Sequence, residues 1–277
     1  MVGMKTIAYT PVKNASIWLP VFTTQLERLE GVDEVVFTYG ESDDLTLQML
    51  RDYSKKSKKR IRIKKEPPLG QVYSSAQIGK TYEDFQKYFE TTDYDQVLMV
   101  DADLMRMPQN LVARLSRHKK DIIAPYIWTL YHDAPTQMFY DSYVFRYKGY
   151  RFHPFSPPLN NGKPLQLDSV GTCFLIKRKP FLDTTYGDPY PHKKFCDESR
   201  EKGYEVWADP STAVQHVDLG RFGMFHHQLE VFQAMQRGEP NPYLYADQTP
   251  YITDSGQIIS TGEFDVQYIK AYTQGVI

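Results

Sequence analysis

The stretch of sequence that decides the fold is "VLMVDADLMRMP", residues 97–108. Four apolar residues come first, and Asp101 and Asp103 follow them with only Ala102 between. Aspartate is unfavourable inside strands and is seldom buried alone. A strand that is apolar on both faces is typical of the centre of a parallel sheet. We therefore expect a central strand here, with the two aspartates just beyond its end.

The residues before this stretch alternate between strand and helix patterns. Runs rich in β-branched and aromatic residues predict strands, and apolar residues that recur every three or four positions predict helices. The predicted strands are 5–11, 33–40 and 59–65, and the predicted helices are 16–31, 43–57 and 74–90. This order predicts an α/β fold with an open, mostly parallel, Rossmann-like sheet and helices on both faces. Ligands of such sheets bind outside the carboxyl ends of the strands, which is where the two aspartates fall.

The second half of the chain has a different character. Residues 125–164 are crowded with aromatic residues and prolines. We expect a long irregular excursion with short strands there, a feature that is usually functional in a compact domain. A predicted strand within 167–181, a predicted helix and strand within 192–209, and then His216 follow the excursion.

Beyond residue 219 the pattern predicts an extension to the main domain. Apolar residues spaced along one face predict an amphipathic helix within 220–238. The run "YITDSGQIIST", residues 251–261, predicts a hairpin with Ser-Gly in its turn. We therefore divide the chain into a main domain, 1–219, and a C-terminal helix and hairpin extension, 220–277.

Composition argues against several classes of partner. Lysine and arginine number 33 and aspartate and glutamate 34 among the 277 residues, so the net charge gives no attraction to nucleic acid or to membranes. We interpret the basic run at 55–65 as a solvated helix end and an edge strand, where lysine prevents edge-to-edge pairing. Cys173 and Cys196 are too few for a disulfide framework and predict small core residues in a reduced chain. With no apolar run of roughly 18 residues and no signal-peptide pattern, we expect a soluble, cytoplasmic protein.

The two aspartates form a candidate cation site. Once the chain leaves the strand, carboxylates at i and i+2 can both turn toward one point, because Ala102 between them is small. Mg²⁺ and Mn²⁺ take one or two protein carboxylates and complete their coordination with water and substrate phosphates. A diphosphate is therefore the expected guest. The alternative is that Asp103 caps the turn before Pro108, and the D-x-D triplet alone does not decide between the two.

Three stretches resemble the GT-A fold of nucleotide-sugar-dependent glycosyltransferases. "VLMVDAD" (97–103) resembles the metal-binding D-x-D segment, and "DSVGTCFLIKR" (168–178) resembles the acceptor-side loop and strand. "FCDESREKGYEVWADPSTAVQH" (195–216) resembles a stretch of the family that ends in a metal-binding histidine. The resemblance covers residues 5–218 and, through "GQVYSSAQIGKTYEDF" (70–85), is greatest to enzymes of the mannan-polymerase type. It implies a nucleotide-sugar-binding half, 1–108, and an acceptor-side half, 109–219.

The same resemblance implies a metal and a donor. Mn²⁺ or Mg²⁺ would be held by Asp101, Asp103 and His216, and the donor substrate would be a nucleoside-diphosphate sugar. Without the two aspartates, His216 would be interpreted as an ordinary histidine after a strand, and Lys80 is equally well a solvated lysine on the outside of its helix. The implied donor-binding residues are Thr10, Pro11, Tyr39, Glu41, Gln77, Lys80, Asp101 and Ala102.

The implied reaction moves a hexose from a GDP- or UDP-linked sugar to a hydroxyl of a carbohydrate, lipid-linked or small-molecule acceptor. An inverting enzyme needs a carboxylate that deprotonates the acceptor. Inverting relatives carry an acidic pair just before the F-C of the helix, where this chain has "PHKK" (191–194). This departure favours a retaining reaction over an inverting one. The carboxylates that remain as candidate catalytic residues are Asp168, Asp188 and Asp197.

Other interpretations are a sugar nucleotidyltransferase and an inactive carbohydrate-binding protein on the same fold. A nucleotidyltransferase usually has a glycine-rich loop after the first strand, and "YTPVKNAS" (9–16) has no glycine. The presence of both aspartates and of His216 argues against an inactive protein. The extension at 220–277 is a candidate contact between copies of the chain. Candidate aromatic platforms for a sugar are Trp128, Tyr131 and Tyr140.

Overall fold

The computed structural model describes residues 4–66, 75–129, 138–141, 144–187, 190–216 and 249–260. The helices in these ranges are α1 Leu19–Arg28, α2 Thr46–Lys56, α3 Ser75–Glu90, α4 Leu111–Ser116, α5 Arg178–Asp183 and α6 Pro191–Glu201. The strands of the main sheet are β1 Thr6–Val12, β2 Glu34–Tyr39, β3 Arg60–Lys65, β4 Gln96–Val100, β5 Leu104–Arg106, β6 Ile122–Thr129, β7 Met138–Phe139, β10 Leu165–Leu167, β11 Cys173–Lys177 and β12 Val206–His216. A second sheet contains β8 Arg146–Tyr147, β9 Tyr150–Phe152, β13 Tyr251–Ile252 and β14 Ile258–Ile259.

The first half of the chain forms the parallel part of the main sheet. Strands β4, β1, β2 and β3 lie side by side in that order, and each neighbouring pair is parallel. β4 is buried along its whole length and β1 along nearly all of it, as expected of central strands. The predicted α/β fold is confirmed. β3 ends the row, so the interpretation of the basic run as part of an edge strand is confirmed as well.

The second half of the chain extends the sheet on the other side of β4. Strand β11 runs antiparallel between β4 and β6, and β12 runs parallel to β6. Strand β5 pairs antiparallel with the end of β12, with Leu104 opposite His216. The short strand β5 follows Asp103 directly, so this pairing brings the end of β12 to the end of β4.

The irregular excursion begins later than predicted. The sequence predicts irregular structure from residue 125, and this is wrong for residues 125–129, which belong to β6. All but one of the residues of β6 are buried, because the strand lies between β11 and β12. Pro125 is tolerated because it lies opposite Asp209, where the register of β12 shifts. Strand β12 likewise continues past the predicted end at residue 209.

Aromatic rings fill the core between the sheet and α3. Tyr9 of β1 stacks on Phe85 of α3 with 3.9 Å between ring centroids. The ring centroid of Phe85 lies 5.6 Å from that of Phe181. The Tyr9 hydroxyl lies 3.0 Å from the carbonyl oxygen of Thr81. These contacts hold the first turns of α3 against β1.

The predicted hairpin near the C-terminus is confirmed. Strands β13 and β14 pair antiparallel, and Gly256 between them has φ +82°, a conformation that glycine adopts at little cost. The hairpin joins the second sheet through β9, so it packs beside the aromatic excursion. The predicted helix within 220–238 lies outside the described residues.

The cysteines are core residues. Cys173 and Cys196 are buried and form no disulfide, as predicted. Burial raises the pKa of the Cys196 thiol to about 12, so the thiolate is disfavoured. Across the described ranges, no helix is both long and apolar enough to cross a membrane.

Candidate active site

The three predicted metal ligands lie where strands β4 and β12 end. Asp101 and Asp103 follow β4 directly, and His216 is the last residue of β12. Because Leu104 lies opposite His216 in the β5–β12 pair, the imidazole reaches Asp103, with 3.0 Å between Nε2 and Oδ2. Residues far apart in the sequence thus meet at the carboxyl ends of the parallel strands. Their metal-binding role stays a prediction.

Thr172 holds the backbone behind Asp101. Its carbonyl oxygen accepts the Asp101 N–H at 2.9 Å, and its hydroxyl donates to Asp141 Oδ2 at 2.8 Å. Thr172 has φ +56°, a strained conformation that persists where the surroundings enforce it. Gly171 before it is required too, because a Cβ there would lie 2.9 Å from Asp141 Oδ2.

Asp141 is a third carboxylate at the site, which the sequence analysis missed because no motif surrounds it in the aromatic excursion. Its side chain is buried, and burial raises the pKa of its carboxyl to about 7. Burial, together with the charges of Asp103 and Asp141, raises the pKa of Asp101 well above its ordinary value. Arg146 and His216 lower the Asp141 pKa only in part, so burial and mutual repulsion dominate, and such a crowded group of carboxylates favours a cation.

The donor atoms fit a hard divalent cation. Asp103 Oδ1 is buried and has no hydrogen-bond partner among the residues that the structure describes, which is costly unless a ligand satisfies it. Carboxylate oxygens and one imidazole nitrogen suit Mn²⁺ or Mg²⁺. Within the part of the chain that the structure describes, no three histidine, cysteine, aspartate or glutamate side chains already form a metal-binding group. Asp103 and His216 bond to each other instead, so binding of a cation requires that contact to open.

Stacking fixes the plane of the His216 ring. Tyr140 lies against it with 3.4 Å between ring centroids and 14° between the ring planes. His216 is only 2% exposed, so the ring has little room to turn. One face of Tyr140 is covered in this way, and that face is closed to a sugar.

A cavity of about 380 Å³ opens beside the carboxylates, within the size range of small-molecule sites. Asp101, Ala102 and Asp103 form part of its wall. The ends of β1, β2 and β3 and the first turns of α1, α3 and α6 supply the rest. These residues are Pro11, Val12, Lys13, Asn14, Ala15, Trp18, Thr38, Gly40, Glu66, Ile78, Thr81, Tyr82, Pro191 and His192.

Only some of the predicted donor-binding residues line the cavity. Pro11 of β1 and Ala102 after β4 are among its lining residues. Thr10 is wholly buried in β1, and its Oγ1 has no hydrogen-bond partner. The Tyr39 hydroxyl accepts the Ser42 N–H at 3.2 Å, so this ring braces the loop after β2. The nucleotide contacts of these residues stay predictions.

Two further predicted donor contacts lie away from the cavity lining. Glu41 and Lys80 are exposed and are not among the lining residues. The face of α3 that lines the cavity carries Ile78 and Tyr82 instead. The side chain of Gln77 lies outside the described residues.

Two of the three candidate bases are held in ion pairs and are not among the residues that line the cavity. Asp168 Oδ1 lies 3.4 Å from Arg200, and Asp197 lies 3.7 Å from Arg200 and 2.6 Å from Lys193. Arg200 thus brings Asp168 and Asp197 together. Asp188 lies outside the described residues.

Several lining residues had no place in the sequence analysis. Lys13 and Glu66 lie just past the ends of β1 and β3, and that position was the signal that could have found them. Gly40 makes room for Glu66, because a Cβ at Gly40 would lie 2.9 Å from Glu66 Oε2. The sequence analysis mentions His192 only as part of "PHKK" (191–194), where inverting relatives carry an acidic pair.

Comparison with known proteins identifies the fold. No protein-family model and no curated protein matches the sequence. The structure of GalNAc-T7 with UDP, GalNAc and Mn²⁺ has a TM-score of 0.57 and 13% identity, over 78% of this chain and 44% of that one. The mannosyltransferase PcManGT from Pyrobaculum calidifontis, in complex with GDP-Man and Mn²⁺, has a TM-score of 0.55 and 12% identity, over 88% and 67%.

A third structure, S. aureus TarS 1-349 in complex with UDP-GlcNAc, has a TM-score of 0.50 and 13% identity, over 78% of this chain and 59% of that one. The chain therefore spans less than two thirds of the length of TarS 1-349 and of GalNAc-T7. At these identities the likeness shows the fold. The chain has the GT-A fold of the glycosyltransferases, as the sequence predicts.

Proposed function

We propose that the chain is a metal-dependent glycosyltransferase that moves a hexose from a GDP- or UDP-linked sugar to a hydroxyl acceptor. The main support is the contact of 3.0 Å between Asp103 and His216 beside a cavity of about 380 Å³. The position of this cavity at the carboxyl end of a GT-A sheet adds to it, because ligands of open α/β sheets bind there.

Asp101, Asp103 and His216 would hold Mn²⁺ or Mg²⁺. When bound, such an ion supplies positive charge to the diphosphate that leaves the sugar. The unpartnered Asp103 Oδ1 and the crowded charges around Asp101 provide the negative site. Thr172 holds the backbone of Asp101, and Tyr140 holds the imidazole of His216. Little reorganisation is therefore needed during the reaction.

We assign the two ends of the cavity to the two ends of the donor. The strands lie in the order β11-β4-β1-β2-β3, so the aspartates after β4 lie between the β3 end and the β11 end. With the diphosphate at Asp101 and Asp103, the nucleoside would extend past Pro11 and Lys13 to Glu66. The hexose would then lie toward α3 and α6. Residues 1–108 would bind the donor, and residues 109–219 would face the acceptor.

We further propose that the reaction retains the configuration of the anomeric carbon. A retaining reaction needs no dedicated base, whereas an inverting one needs a carboxylate at the acceptor. Asp168 and Asp197 are engaged with Arg200 and are not among the lining residues. The anomeric configuration of the product, followed by NMR, tests this part of the proposal.

The test of the main proposal is a screen of GDP-mannose, UDP-glucose and UDP-N-acetylglucosamine for metal-dependent turnover. We expect one donor to release its nucleoside diphosphate only with Mn²⁺ or Mg²⁺. Asp103→Asn should lower that rate at least about 100-fold, the effect of removing a group that stabilises transition-state charge. Asp52→Asn is the matched control, because Asp52 is partly exposed on α2 and is not among the residues that line the cavity, and it should keep the full rate.

Three results would overturn the proposal. An unchanged rate in Asp103→Asn would remove the assigned site. Release of pyrophosphate from a nucleoside triphosphate and a sugar phosphate would identify a nucleotidyltransferase. Sugar binding without any binding of nucleotides would identify an inactive carbohydrate-binding protein.

A further inference from the structure

His192 is a polar residue of the cavity wall that none of the roles above uses. It lies in the first turn of α6, is partly exposed and lines the cavity. Its Nε2 lies 3.1 Å from the Tyr82 hydroxyl. Its Nδ1 is buried and has no hydrogen-bond partner among the described residues. A buried polar atom without a hydrogen-bond partner costs free energy. We therefore expect a ligand in the cavity to form a hydrogen bond with Nδ1.

Aromatic rings surround His192 and limit its movement. Phe174 meets it edge to face at 5.2 Å between centroids, Tyr82 lies at 5.0 Å and Tyr186 at 6.2 Å. Burial lowers the pKa of His192 to about 4, so the imidazole is neutral at neutral pH. A neutral imidazole donates through one ring nitrogen and accepts through the other. The wall therefore presents a hydrogen-bonding group without charge.

The sheet order locates His192 at one end of the cavity. Phe174 belongs to β11, which lies on the side of β4 opposite β1. Glu66 follows β3, at the far edge on the β1 side. The aspartates after β4 lie between these two ends, so His192 and Glu66 flank the assigned diphosphate site from opposite sides.

The other polar side chains that line the cavity at the His192 end already have partners. The Thr81 hydroxyl donates to the Ile78 carbonyl oxygen at 2.7 Å, and the Tyr82 hydroxyl is engaged with His192. Pro191 and Ile78 are apolar. His192 Nδ1 is thus the side-chain atom best able to recognise a polar ligand at this end.

We propose that His192 is a sugar-contacting residue whose Nδ1 exchanges a hydrogen bond with a carbohydrate hydroxyl, on the hexose of the donor or on the acceptor. This inference rests on the proposed function, because it takes the diphosphate to lie at Asp101 and Asp103. A hydroxyl both donates and accepts, so it suits either tautomer of the ring. Nδ1 is buried although His192 lines the cavity, so the proposed contact requires a small rotation of the ring within its aromatic surroundings.

A buried water is the competing explanation. The hydroxyl of Tyr186 is also buried and has no hydrogen-bond partner in the described part of the chain, and its ring centroid lies 6.2 Å from that of His192. A water that bridges Tyr186 and His192 would satisfy both atoms. His192 would then have a structural role and no contact with the ligand.

The experiment measures the dissociation constant of a nucleoside diphosphate and of its sugar conjugate by calorimetry with Mn²⁺ present. The probes are GDP with GDP-mannose and UDP with UDP-glucose. His192→Phe keeps an aromatic ring and removes both nitrogens. We expect it to raise the Kd of the sugar conjugate about 3- to 10-fold, as the loss of one hydrogen bond predicts. The Kd of the parent diphosphate should change less than about twofold.

Two further variants identify the atom involved. His192→Asn places an amide near the position of Nδ1, so it should recover part of the affinity for the sugar conjugate. His192→Gln places its amide near Nε2 and should not. These two variants also carry the comparison if His192→Phe fails to fold. Tyr186→Phe is the control for a bridging water and should leave both dissociation constants unchanged.

The outcomes separate this inference from the proposed function. If wild-type protein binds neither member of either pair, the proposed function fails. If it binds both members and His192→Phe weakens neither or both equally, with the acceptor KM unchanged, the inference is overturned. A rise in the acceptor KM alone supports it and assigns the hydroxyl to the acceptor. Equal losses in Tyr186→Phe and His192→Phe overturn it in favour of the water.

Discussion

Two carboxylate–histidine pairs each have one member on strand β12, and they differ in how far their hydrogen bonds are satisfied. His216 at the end of β12 is 3.0 Å from Asp103, and Asp209 within β12 is 3.0 Å from His118. All four residues lie in the main sheet or next to it. Distance alone therefore does not distinguish the pair that we propose to be functional from the other pair.

The Asp209 pair is satisfied by its surroundings. Asp209 accepts hydrogen bonds from the Ser211 hydroxyl at 2.6 Å, the Thr212 hydroxyl at 2.7 Å and Arg117 at 3.3 Å. Burial alone would raise the pKa of Asp209, but these bonds and His118 lower it overall. The cluster lies where the register of β12 shifts, so its role is to hold that irregularity.

The Asp103 pair is not satisfied. Within the described ranges Asp103 Oδ1 has no hydrogen-bond partner. Its neighbour Asp101 is a second carboxylate whose pKa is raised by burial and by the charges of Asp103 and Asp141. A fold gains nothing from this arrangement by itself. The comparison teaches that unmet hydrogen bonds and crowded like charges mark the site that needs a ligand.

The largest expected difference between the pairs is in turnover. Asp103→Asn should lower metal-dependent release of the nucleoside diphosphate at least about 100-fold. Asp209→Asn makes the same chemical change in the other pair and should keep the rate per folded molecule within about twofold. Initial rates, corrected for the folded fraction by circular dichroism, check this. Equal losses in both variants would contradict the distinction.

The second difference is in stability. Asp209→Ala should lower the free energy of unfolding by about 2–3 kcal/mol, because several donors lose a charged acceptor. Asp103→Ala should lower it by less, about 1 kcal/mol or below in metal-free protein, because the loss of the contact with His216 is offset by the removal of a charge that repels Asp101. Urea denaturation without divalent cations measures both. A larger loss in Asp103→Ala than in Asp209→Ala would reverse the assignment.

A smaller effect sharpens the role of the residues around His216. Tyr140→Ala removes the ring that stacks on His216 and should weaken Mn²⁺ binding about 10-fold, the usual effect of removing a residue that orients a metal ligand. Tyr140→Phe keeps the stack and should retain the affinity. Calorimetry with Mn²⁺ alone measures both variants. Equal affinity in Tyr140→Ala and wild type would show that the stack does not orient His216.

The smallest effect is the dependence of stability on pH. Because the pKa of Asp209 is lowered in the folded state, Asp209 stabilises the fold above its unfolded pKa and loses this contribution as pH falls through the folded value. The difference in unfolding free energy between wild type and Asp209→Ala should stay constant from pH 8 to pH 6. It should shrink below about pH 4, the ordinary pKa of aspartate. A difference that persists unchanged to pH 2 would contradict the lowered pKa.

The sequence predicts the parts of the molecule that follow regular patterns. Strand β4 and the aspartates after it could be found because an apolar run ending in acidic residues is unusual. Asp141, Thr172 and His192 could not, because their importance comes from contacts across loops. Thr172 matters because of its strained backbone conformation, and Asp141 because its carboxylate is buried. Neither property can be recognised from the spacing of residues in the sequence.

Binding of a nucleoside diphosphate in the presence and absence of metal is the measurement that tests the central claim most directly. GDP or UDP should raise the melting temperature of the wild type only with Mn²⁺, by an amount equivalent to about 2.7 kcal/mol at a ligand concentration 100 times Kd. The shift should vanish in Asp103→Asn and persist in Asp209→Asn. A shift that is the same without metal, or that survives in Asp103→Asn, would contradict the assignment of Asp101, Asp103 and His216 as a cation site.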